Sequence, residues 1–510
     1  MKKHVLNITL AVLSGVLGFL AFPPFEYSAL AWFSLVPLLV AARVSNLRGA
    51  ILCGYISGVV FFGGLLSWLV YVSVPGFIFA ALYLGVFFAL FSAVANMFFR
   101  RELDLMVLPF VWVLLEYIRG HLFTGFPWCL LGYSQYRTLA LIQIADVTGP
   151  YGVSFLLAAF NTGLAAVFLR ERRKIHYLMT ASILSVIAIM YGTGRIDKLP
   201  EWGSLRPAVV QPNIPQEEKW DPFYAASILE TYEAMTLQAA AGKPDIIIWP
   251  EAAYPYLAEE GEYPAPEVSD IALRAKTPLL AGIVDTSGGK NYNSAYLFDA
   301  EGRVVERYAK MHLVPWGEYI PYEDRIAWVR DLIDKPIGSF VGGRTAELLP
   351  LTVARSYASA DGSLKKDTFF YKLGVLICFE DVFPYISRQF VAGGASFLVN
   401  ITNDGWFGDT GAGRQHLMAS VFRAVENKVP VVRAANTGVS CFISPIGEII
   451  SRVENEYGKD TFVKGIDTAD IKIYRGRTLY TKHGDQFVLF SGGMAVMFML
   501  FTALTRRRKG

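Results

Sequence analysis

Long apolar stretches separated by short polar connections fill the first two hundred residues of the chain. Residues 49–99 contain no Asp, Glu, Lys or Arg. A membrane span needs about 20 apolar residues, so this run can hold two spans, and Pro75-Gly76 is the natural turn between them. The whole pattern predicts eight spans, at residues 5–22, 27–42, 49–71, 76–99, 105–121, 150–169, 176–194 and 487–504.

These spans predict an N-terminal membrane bundle of about seven helices at 1–195 and a C-terminal transmembrane helix at 486–505. The span at 105–121 is the weakest, because Glu116 and Arg119 interrupt it. The first apolar run also resembles a secretory signal, but no small-residue cleavage site follows it at 22–26. We therefore interpret it as a retained first helix.

Residues 203–475 have a different texture, with charges, turns and short β-rich runs. The pattern predicts strands at 206–211, 246–250, 278–282, 294–298, 373–378, 397–400, 431–434, 440–443 and 448–451. Helices are predicted at 223–241 and 415–427, and hairpin turns at 299–302 and 445–447. Strands that alternate with helices predict a layered α/β domain whose strand ends carry the site.

Composition supports this division. The chain has 510 residues, of which 53% are hydrophobic and 18% charged, and its mean hydropathy is +0.37. Soluble domains carry roughly a quarter charged residues, so part of the chain is not dissolved in water. A net charge of +3 gives no indication of nucleic-acid binding.

The basic residues of the short connections predict an orientation. With the N-terminus inside, the basic residues gather on the cytoplasmic side, whereas the connections at 22–26 and 72–75 contain none. The domain at 203–475 is then outside, and both termini are cytoplasmic. The cytoplasmic set is Lys2, Lys3, Arg43, Arg48, Arg100, Arg101, Arg170, Arg172, Arg173, Lys174, Arg506, Arg507, Arg508 and Lys509.

Three residues of the central domain supply the parts for acyl transfer. Cys378 ends the apolar run 373–378 (LGVLIC) and is followed at once by two carboxylates. Glu251 ends the run 246–251 (IIIWPE), and Lys310 lies between them in 308–315 (YAKMHLVP). A thiol, a base and a cation are what a thioester intermediate needs. The alternatives are a buried strand cysteine or a disulfide between Cys378 and Cys441.

In this order and at these separations, the three residues resemble the nitrilase superfamily, whose fold is an α-β-β-α sandwich with a Glu-Lys-Cys triad. Eight spans, with this domain inserted before the last span, resemble the apolipoprotein N-acyltransferase family, which is the membrane-embedded branch of the nitrilase superfamily. The resemblance covers essentially the whole chain. Further matching segments are 211–216 (QPNIPQ), 314–321 (VPWGEYIP), 402–408 (TNDGWFG), 124–128 (TGFPW) and 132–135 (GYSQ).

The resemblance implies roles for site residues. Glu251 accepts protons, Cys378 is the nucleophile, Lys310 stabilises the thiolate and the oxyanion with the main-chain N–H of Phe379, and Glu318 orients the lysine. Phe379 also departs from the tyrosine that relatives often carry at this position. Substrate contacts are expected from Phe379, Glu380, Trp220, Trp406 and Trp128. For each of these there is an ordinary alternative: a surface salt bridge, core packing, or an interfacial anchor.

The resemblance also implies the reaction. An acyl chain from the sn-1 position of a phospholipid, phosphatidylethanolamine for example, passes through a Cys378 thioester to the α-amine of a diacylglyceryl-cysteine in an apolipoprotein. No cofactor, metal or nucleic acid is implied, and the setting is a bacterial inner membrane with the catalytic domain on the periplasmic side.

Three other interpretations remain open. A membrane-anchored nitrilase-type amidase shares the same triad. A transporter with an extracytoplasmic domain would place ionisable residues in its spans, for which Glu116 and Arg119 are the candidates. A Cys-His mechanism with His312 or His416 lacks an evident third residue.

Overall fold

The computed structural model describes residues 2–100, 105–170, 174–196, 201–259, 261, 264–321, 338–358, 364–474 and 476–507. Some of the basic residues on which the orientation depends lie outside the described residues, namely Arg101, Arg172, Arg173, Arg508 and Lys509. The chain divides into two compact units. The helical unit comprises Met1–Lys198, Thr410–Glu426 and Thr478–Gly510, and the sheet unit comprises Leu199–Asp409 and Asn427–Arg477.

The α-helices of the described residues, in chain order, are α1 (Lys2–Leu20), α2 (Val36–Val44), α3 (Leu47–Leu65), α4 (Val74–Arg100), α5 (Leu108–His121), α6 (Leu139–Ile142), α7 (Ala145–Thr148), α8 (Tyr151–Phe168), α9 (Lys174–Ile196), α10 (Ala225–Ala241), α11 (Pro266–Ala275), α12 (Pro384–Gly393), α13 (Ala412–Asn427), α14 (Leu479–His483) and α15 (Gln486–Arg507). Short 3₁₀ helices lie at Ser28–Trp32, Ser67–Tyr71, Leu105–Val107, Leu131–Gln135, Cys378–Val382 and Asp404–Phe407.

Within the described residues, five helices are long and apolar enough to cross a membrane, judged by length and composition: α1, α3, α4, α8 and α9. Helix also lies at each of the three other predicted spans. The segment at 27–42 is divided between a 3₁₀ helix and α2, α5 has 14 residues, and α15 occupies the last span. The charge-free run 49–99 forms α3 and α4 with a 3₁₀ helix between them.

Small residues let α3 and α4 pack closely. A Cβ atom on Gly58 would lie 2.8 Å from the Cα of Gly85, and one on Gly54 would lie 2.6 Å from the Cβ of Ser92. Close approach of this kind is how helices associate when the surroundings are as apolar as the side chains. Large apolar side chains such as Phe79, Ile183 and Met190 are exposed on the outside of α4 and α9.

The strands of the sheet unit, in chain order, are β1 (Glu201–Leu205), β2 (Pro207–Gln211), β3 (Ile246–Ile248), β4 (Ala258–Glu259), β5 (Leu279–Ser287), β6 (Lys290–Phe298), β7 (Val304–Ala309), β8 (Leu348–Ala358), β9 (Leu364–Ile377), β10 (Phe397–Thr402), β11 (Val431–Ala435), β12 (Cys441–Ile443), β13 (Ile449–Arg452), β14 (Gly465–Thr468) and β15 (Ile471–Tyr474). Each of the nine strands predicted from the sequence has a counterpart here. Both predicted hairpins are confirmed, because β6 pairs antiparallel with β7 and β12 with β13.

Two large sheets form the centre of this unit. One has the order β14-β2-β3-β5-β6-β7, with β4 paired to β5, and the other has the order β13-β12-β11-β10-β9-β8. The central strands β2, β3 and β5 run parallel to one another, as do β9, β10 and β11. They are apolar and buried without alternation, the pattern of strands covered on both faces.

Helices cover the outer faces of these sheets. On α10, Ile228, Tyr232 and Met235 pack against the first sheet. Trp249 fixes this contact, because its indole N–H donates to the Thr236 hydroxyl (2.9 Å) and its ring stacks on Tyr232. Helix α12 packs against β9 and β10 of the second sheet. The membrane bundle and the layered nitrilase-like sandwich are therefore the fold that the sequence predicts.

Residues 410–426 belong to the helical unit although they lie, in sequence, inside the predicted domain at 203–475. The main contribution of this segment is Gln415 on α13. Its carbonyl accepts the indole N–H groups of Trp68 (3.0 Å) and Trp128 (2.9 Å). Its amide nitrogen donates to the main-chain oxygens of Pro23 (2.9 Å) and Leu65 (3.0 Å). One buried side chain thus joins four separate parts of this unit.

Glu116 and Arg119, the charged pair on α5, bond to main-chain groups of the connection at 124–135. Arg119 donates to the oxygen of Trp128 (2.9 Å), and its guanidinium lies over the ring of Phe62. Glu116 accepts from the N–H of Leu131 (2.7 Å). Both side chains are buried, so the pair holds this connection against the end of α5.

Candidate active site

Cys378 follows the last residue of β9, at the carboxyl end of a parallel strand. Its φ is +52°, in the left-handed region that non-glycine residues rarely adopt. The side-chain amide of Asn400 donates to the main-chain oxygens of Leu376 (3.1 Å) and Cys378 (3.2 Å), which holds this turn. Strained turns of this kind persist when their surroundings fix them, and they are common at functional sites.

The surroundings of the Cys378 thiol disfavour its ionisation. Burial raises the pKa of Cys378, and the negative charges of Glu251 and Asp404 raise this pKa further. The ammonium of Lys310 and a hydrogen bond with Thr402 lower the same pKa. Because the net direction is upward, the thiolate forms here only with help from a base and from nearby cations.

Glu251 lies three residues after β3 and is buried. Its Oε1 accepts from the amide nitrogen of Asn293 (2.8 Å) and lies 3.5 Å from Lys310 Nζ. Its Oε2 accepts from the main-chain N–H of Asn403 (3.0 Å). Both oxygens of the carboxylate are therefore held by hydrogen bonds. Its negative charge acts on the thiol of Cys378.

Lys310 follows the last residue of β7, and its main-chain N–H donates to the oxygen of Asn293 (2.8 Å). Its ammonium is buried between two carboxylates, 2.9 Å from Glu318 Oε1 and 3.5 Å from Glu251 Oε1. Burial disfavours the charge, but Glu318 and Glu251 more than offset this effect and raise the pKa of Lys310. The lysine therefore stays cationic.

Glu318 is positioned by its own loop. Its Oε2 accepts from the main-chain N–H of Val314 (2.7 Å), and its Oε1 accepts from Asn293 (3.0 Å) as well as from Lys310. Asn293 donates to Glu318 and to Glu251, so it links the two carboxylates. The structure thus brings together Glu251, Lys310 and Glu318 in direct contact, with Cys378 in their electrostatic field.

Glu380 is fully buried and joins the loop after Lys310 to the end of β9. Its Oε1 accepts from the Tyr308 hydroxyl (2.8 Å) and from the main-chain N–H groups of Met311 (2.7 Å) and His312 (3.1 Å). Its Oε2 accepts from the N–H of Ile377 (2.8 Å). Both oxygens are therefore occupied by the protein itself. Burial raises the pKa of this carboxyl to about 7.

A buried charge cluster lies behind the thiol. Arg433 on β11 donates to Asn400 Oδ1 (2.6 Å) and pairs with Asp381 (3.1 Å) and Asp404 (3.0 Å). Since Asn400 in turn holds the main-chain oxygen of Cys378, this cluster supports the turn that carries the thiol. Breaking one partner of such a cluster leaves an uncompensated buried charge.

The residues predicted to contact substrate lie in different settings. Trp220, in a turn of the sheet unit, and Trp406, in the 3₁₀ helix Asp404–Phe407, are 45% and 38% exposed and can meet a ligand. Phe379 is buried and packs edge-to-face against Phe383. Trp128 belongs to the helical unit and is buried there, where its ring packs in a tilted arrangement against the rings of Trp68 and His416. Their contacts with substrate remain predictions.

Several residues of the site were not recognised in the sequence. Lys219 is buried, and its ammonium donates to the main-chain oxygen of Glu251 (2.8 Å). Asn403 contacts Glu251 through its N–H and Gln216 through its side chain (2.6 Å). The sequence held a signal for two of them: Asn403 lies within the matching segment 402–408, and Lys219 lies shortly after the matching segment 211–216. No sequence signal indicated Asn293.

All four cysteines are free, so Cys378 and Cys441 are not joined. In the part of the chain that the structure describes, no group of His, Cys, Asp and Glu side chains could hold a metal ion. Of the histidines, His312 lies against Phe383 and contacts the Tyr385 hydroxyl (3.0 Å).

Comparison with known proteins covers both units. The family model described as "Apolipoprotein N-acyltransferase N-terminal domain" matches residues 14–163, and the one described as "Carbon-nitrogen hydrolase" matches residues 206–475. Among solved structures, Nit3 of Saccharomyces cerevisiae, a member of the nitrilase superfamily, is 17% identical, with 54% of this chain and 91% of that chain covered and a TM-score of 0.38.

The curated relatives match nearly from end to end. An apolipoprotein N-acyltransferase of Geobacter metallireducens is 37% identical, over 98% of this chain and 95% of the relative. One of Pasteurella multocida is 30% identical, over 100% of this chain and 98% of the relative. With its apolar helices, the protein is embedded in a membrane. The chain belongs to the apolipoprotein N-acyltransferase family.

Proposed function

We propose that this protein transfers a fatty acyl chain from the sn-1 position of a phospholipid to the N-terminal α-amine of a diacylglyceryl-cysteine in an apolipoprotein. Phosphatidylethanolamine is the expected donor. The observation that carries the proposal is the Lys310 ammonium held between Glu251 and Glu318 beside the buried thiol of Cys378. Family membership and the apolar helices support the lipid substrates.

In the first half-reaction, Glu251 takes the proton of Cys378 and the thiolate attacks the ester carbonyl. A C–S bond forms, the ester C–O bond breaks, and the lysophospholipid oxygen leaves with the proton returned by Glu251. Lys310 and main-chain N–H groups, that of Phe379 among them, stabilise the oxyanion of the tetrahedral intermediate. An acyl-thioester remains on the enzyme.

In the second half-reaction, the α-amine of the acceptor attacks the thioester carbonyl and gives its proton to Glu251. A C–N bond forms, the C–S bond breaks, and the proton returns to the sulfur. Because the acyl group is already activated as a thioester, the exchange consumes no nucleotide. Glu318 keeps Lys310 charged and in place through both steps.

The test is the intact mass of the protein purified from native membranes. We expect a fatty-acyl adduct that neutral hydroxylamine removes, located on the peptide that contains Cys378, and its loss on addition of a diacylglyceryl lipopeptide with formation of the N-acyl product. If the adduct is discharged to free fatty acid and the lipopeptide stays unmodified, the protein is a hydrolase. If no adduct forms at any stage, the thioester mechanism is wrong.

We further propose a bacterial inner-membrane location, with the sheet unit on the periplasmic side and both termini in the cytoplasm. A cysteine at the exposed turn residue Gly458 should react with a membrane-impermeant thiol reagent in intact spheroplasts. One at Arg508 should be protected until the membrane is opened. The opposite pattern would place the thiol site on the face away from lipoprotein substrates.

A further inference from the structure

The three charged residues in contact at the thiol site leave the thiolate without a net counter-charge. Glu251 and Glu318 share the single ammonium of Lys310, so this group of three carries one excess negative charge. Transfer of the Cys378 proton to Glu251 leaves this excess in place and moves it onto the sulfur, where burial already raises the pKa of the thiol. The charge of Arg433 is matched by Asp381 and Asp404 and gives no surplus. A further cation is needed.

Lys219 meets this need by position. It is 4% exposed. Among the residues that the structure describes, it forms no ion pair and has one hydrogen-bond acceptor, the main-chain oxygen of Glu251 at 2.8 Å. An ammonium has three N–H donors, so the other two are available to water or to an oxygen of a bound substrate. A buried ammonium that forms no ion pair is costly to keep, and the charges that act on it are those of Glu251 and Cys378.

The segment that carries Lys219 is fixed to the site by further contacts. Gln216 accepts from the side chain of Asn403, whose N–H in turn holds Glu251. Ile214 exchanges hydrogen bonds with the side chain of Asn436 through its N–H (2.9 Å) and its oxygen (2.8 Å). These contacts hold the segment just before Lys219, and the lysine side chain itself is buried.

We propose that Lys219 is a positioning residue and the second cation of the thiol site: its ammonium offsets the charge of the Cys378 thiolate, and its hydrogen bond fixes the main chain of Glu251. This inference rests on the proposed thiol chemistry. Two groups act on the charge of Lys219 from the packed elements, Glu251 after β3 and Cys378 after β9. Burial lowers the pKa of Lys219 to about 8, and both groups oppose this shift.

The thiolate and the Lys219 ammonium therefore favour each other, because each makes the other's charge less costly. At neutral pH Lys219 is a cation, and above about pH 8 it loses its charge and its support for the thiolate. Arginine at this position keeps its positive charge at every pH of interest. The Lys219→Arg variant therefore retains a cation above about pH 8, where the lysine of the wild type is neutral. This gives a pH signature that a purely structural lysine does not have.

The experiment measures alkylation of Cys378 by iodoacetamide in the full-length detergent-solubilised protein, followed by mass spectrometry of the Cys378 peptide, from about pH 6 to about pH 10. We compare wild type, Lys219→Met and Lys219→Arg, with the exposed lysine Lys290→Met as the matched control. Lys219→Met should raise the apparent pKa of the thiol by about one unit and slow alkylation at neutral pH about tenfold. Lys290→Met should match wild type.

Lys219→Arg should keep alkylation at neutral pH close to wild type and exceed wild type above about pH 8, where the lysine is neutral. The inference is overturned if Lys219→Met keeps the wild-type pH profile, or if Lys219→Arg behaves like Lys219→Met. If Lys219→Met does not fold, the profile of Lys219→Arg alone decides, since a structural lysine predicts no gain above about pH 8.

Alkylation needs no lipid, so its outcome is separate from that of the proposed function. A protein whose thiol reactivity depends on Lys219 in this way, but which forms no acyl adduct, would disprove acyl transfer and leave the role of Lys219 in place. A protein that transfers acyl chains while its thiol reactivity ignores Lys219 would disprove the role of Lys219 alone.

Discussion

The thiol site of the sheet unit and the Gln415 cluster of the helical unit are both buried groups of polar side chains, yet they differ in what remains unpaired. Gln415 has four hydrogen-bonding positions on its amide, and all four are used, by Trp68, Trp128, Pro23 and Leu65. The cluster is neutral. A fully satisfied neutral network contributes rigidity and carries no reactivity.

The thiol site is crowded with charge instead. Two carboxylates compete for Lys310, Lys219 has no carboxylate partner, and Cys378 adopts a left-handed backbone conformation. Each of these features costs stability. The comparison teaches that incomplete pairing is what sets a buried polar group apart. The fully paired cluster holds helices together, and the incompletely paired one surrounds the thiol that we propose to be the nucleophile.

The largest effect is expected at Cys378, the proposed nucleophile. Cys378→Ser should abolish the acyl adduct and reduce acyl transfer on the order of 10³-fold or more, because a hydroxyl ionises far less readily than a thiol. The adduct and the N-acyl product are measured by mass spectrometry. Cys441→Ala is the matched control: Cys441 is also buried, and burial raises its pKa to about 12. Equal losses in the two variants would contradict the distinct role of Cys378.

The second prediction concerns the neutral cluster. Gln415→Met keeps the volume of the side chain but leaves two indole N–H groups and two main-chain oxygens without their partner, at about 1–3 kcal/mol for each unpaired group. We expect a lower thermal unfolding midpoint in detergent, with the pH profile of Cys378 alkylation unchanged in the folded protein. The exposed glutamine Gln238→Met on α10 serves as the control. An altered thiol profile in Gln415→Met would break the distinction between the two clusters.

Glu380 gives a smaller effect with a pH signature. Its pKa in the folded protein is about 7 because of burial, against about 4.3 in an unfolded chain. The folded state binds this proton more tightly, so the carboxyl stabilises the protein fully below about pH 4.3, and this contribution is lost as the pH rises through about 7. Glu380→Gln lacks this titration.

We therefore expect wild type to lose stability relative to Glu380→Gln as the pH rises from about 4.3 to about 7. The measurement is the unfolding midpoint of each protein across this range. The variant should be less stable below this window, because its amide nitrogen cannot accept from main-chain N–H groups such as that of Ile377. A difference that is constant with pH would show that Glu380 does not titrate in this range.

The smallest effect is expected for Trp128. If its indole N–H matters through Gln415, then Trp128→Phe and Trp68→Phe should each lower the unfolding midpoint by a similar amount, less than Gln415→Met does. If Trp128 also handles lipid, Trp128→Ala should slow thioester formation from phospholipid more than transfer of a preloaded acyl group to an amine. Equal change in both half-reactions would leave Trp128 a packing residue.

Much of this architecture was predicted from local patterns. A charge-free run of apolar residues has one stable arrangement in a membrane, so α3 and α4 followed from residues 49–99. The strands β3 and β9 followed from short β-branched apolar runs that end on polar residues. Cys378 and Glu251 were singled out because each ends a predicted strand, and residues at or just after the carboxyl ends of parallel strands lie at one edge of a sheet.

The sequence did not predict β1, β4, β7, β8, β14 and β15. Such strands have weaker or mixed patterns and owe their place to pairing with a neighbour, as β14 does with β2. Strand propensity reports how well a residue fits a particular neighbour more than a preference of its own.

The sequence by itself thus determined the class of the two units and the positions of the strands that precede Glu251 and Cys378, and through its resemblance to a family it predicted the Glu-Lys-Cys triad. The tertiary structure alone decided that Asn293 links Glu251 to Glu318, that Lys219 lies beside the base, and that Glu380 is enclosed by main-chain donors. Pairings between distant residues leave no trace in local periodicity. They form when loops that follow different strands meet in the fold. Their stability depends on burial and on neighbouring charges, and both are set by residues that are distant in sequence.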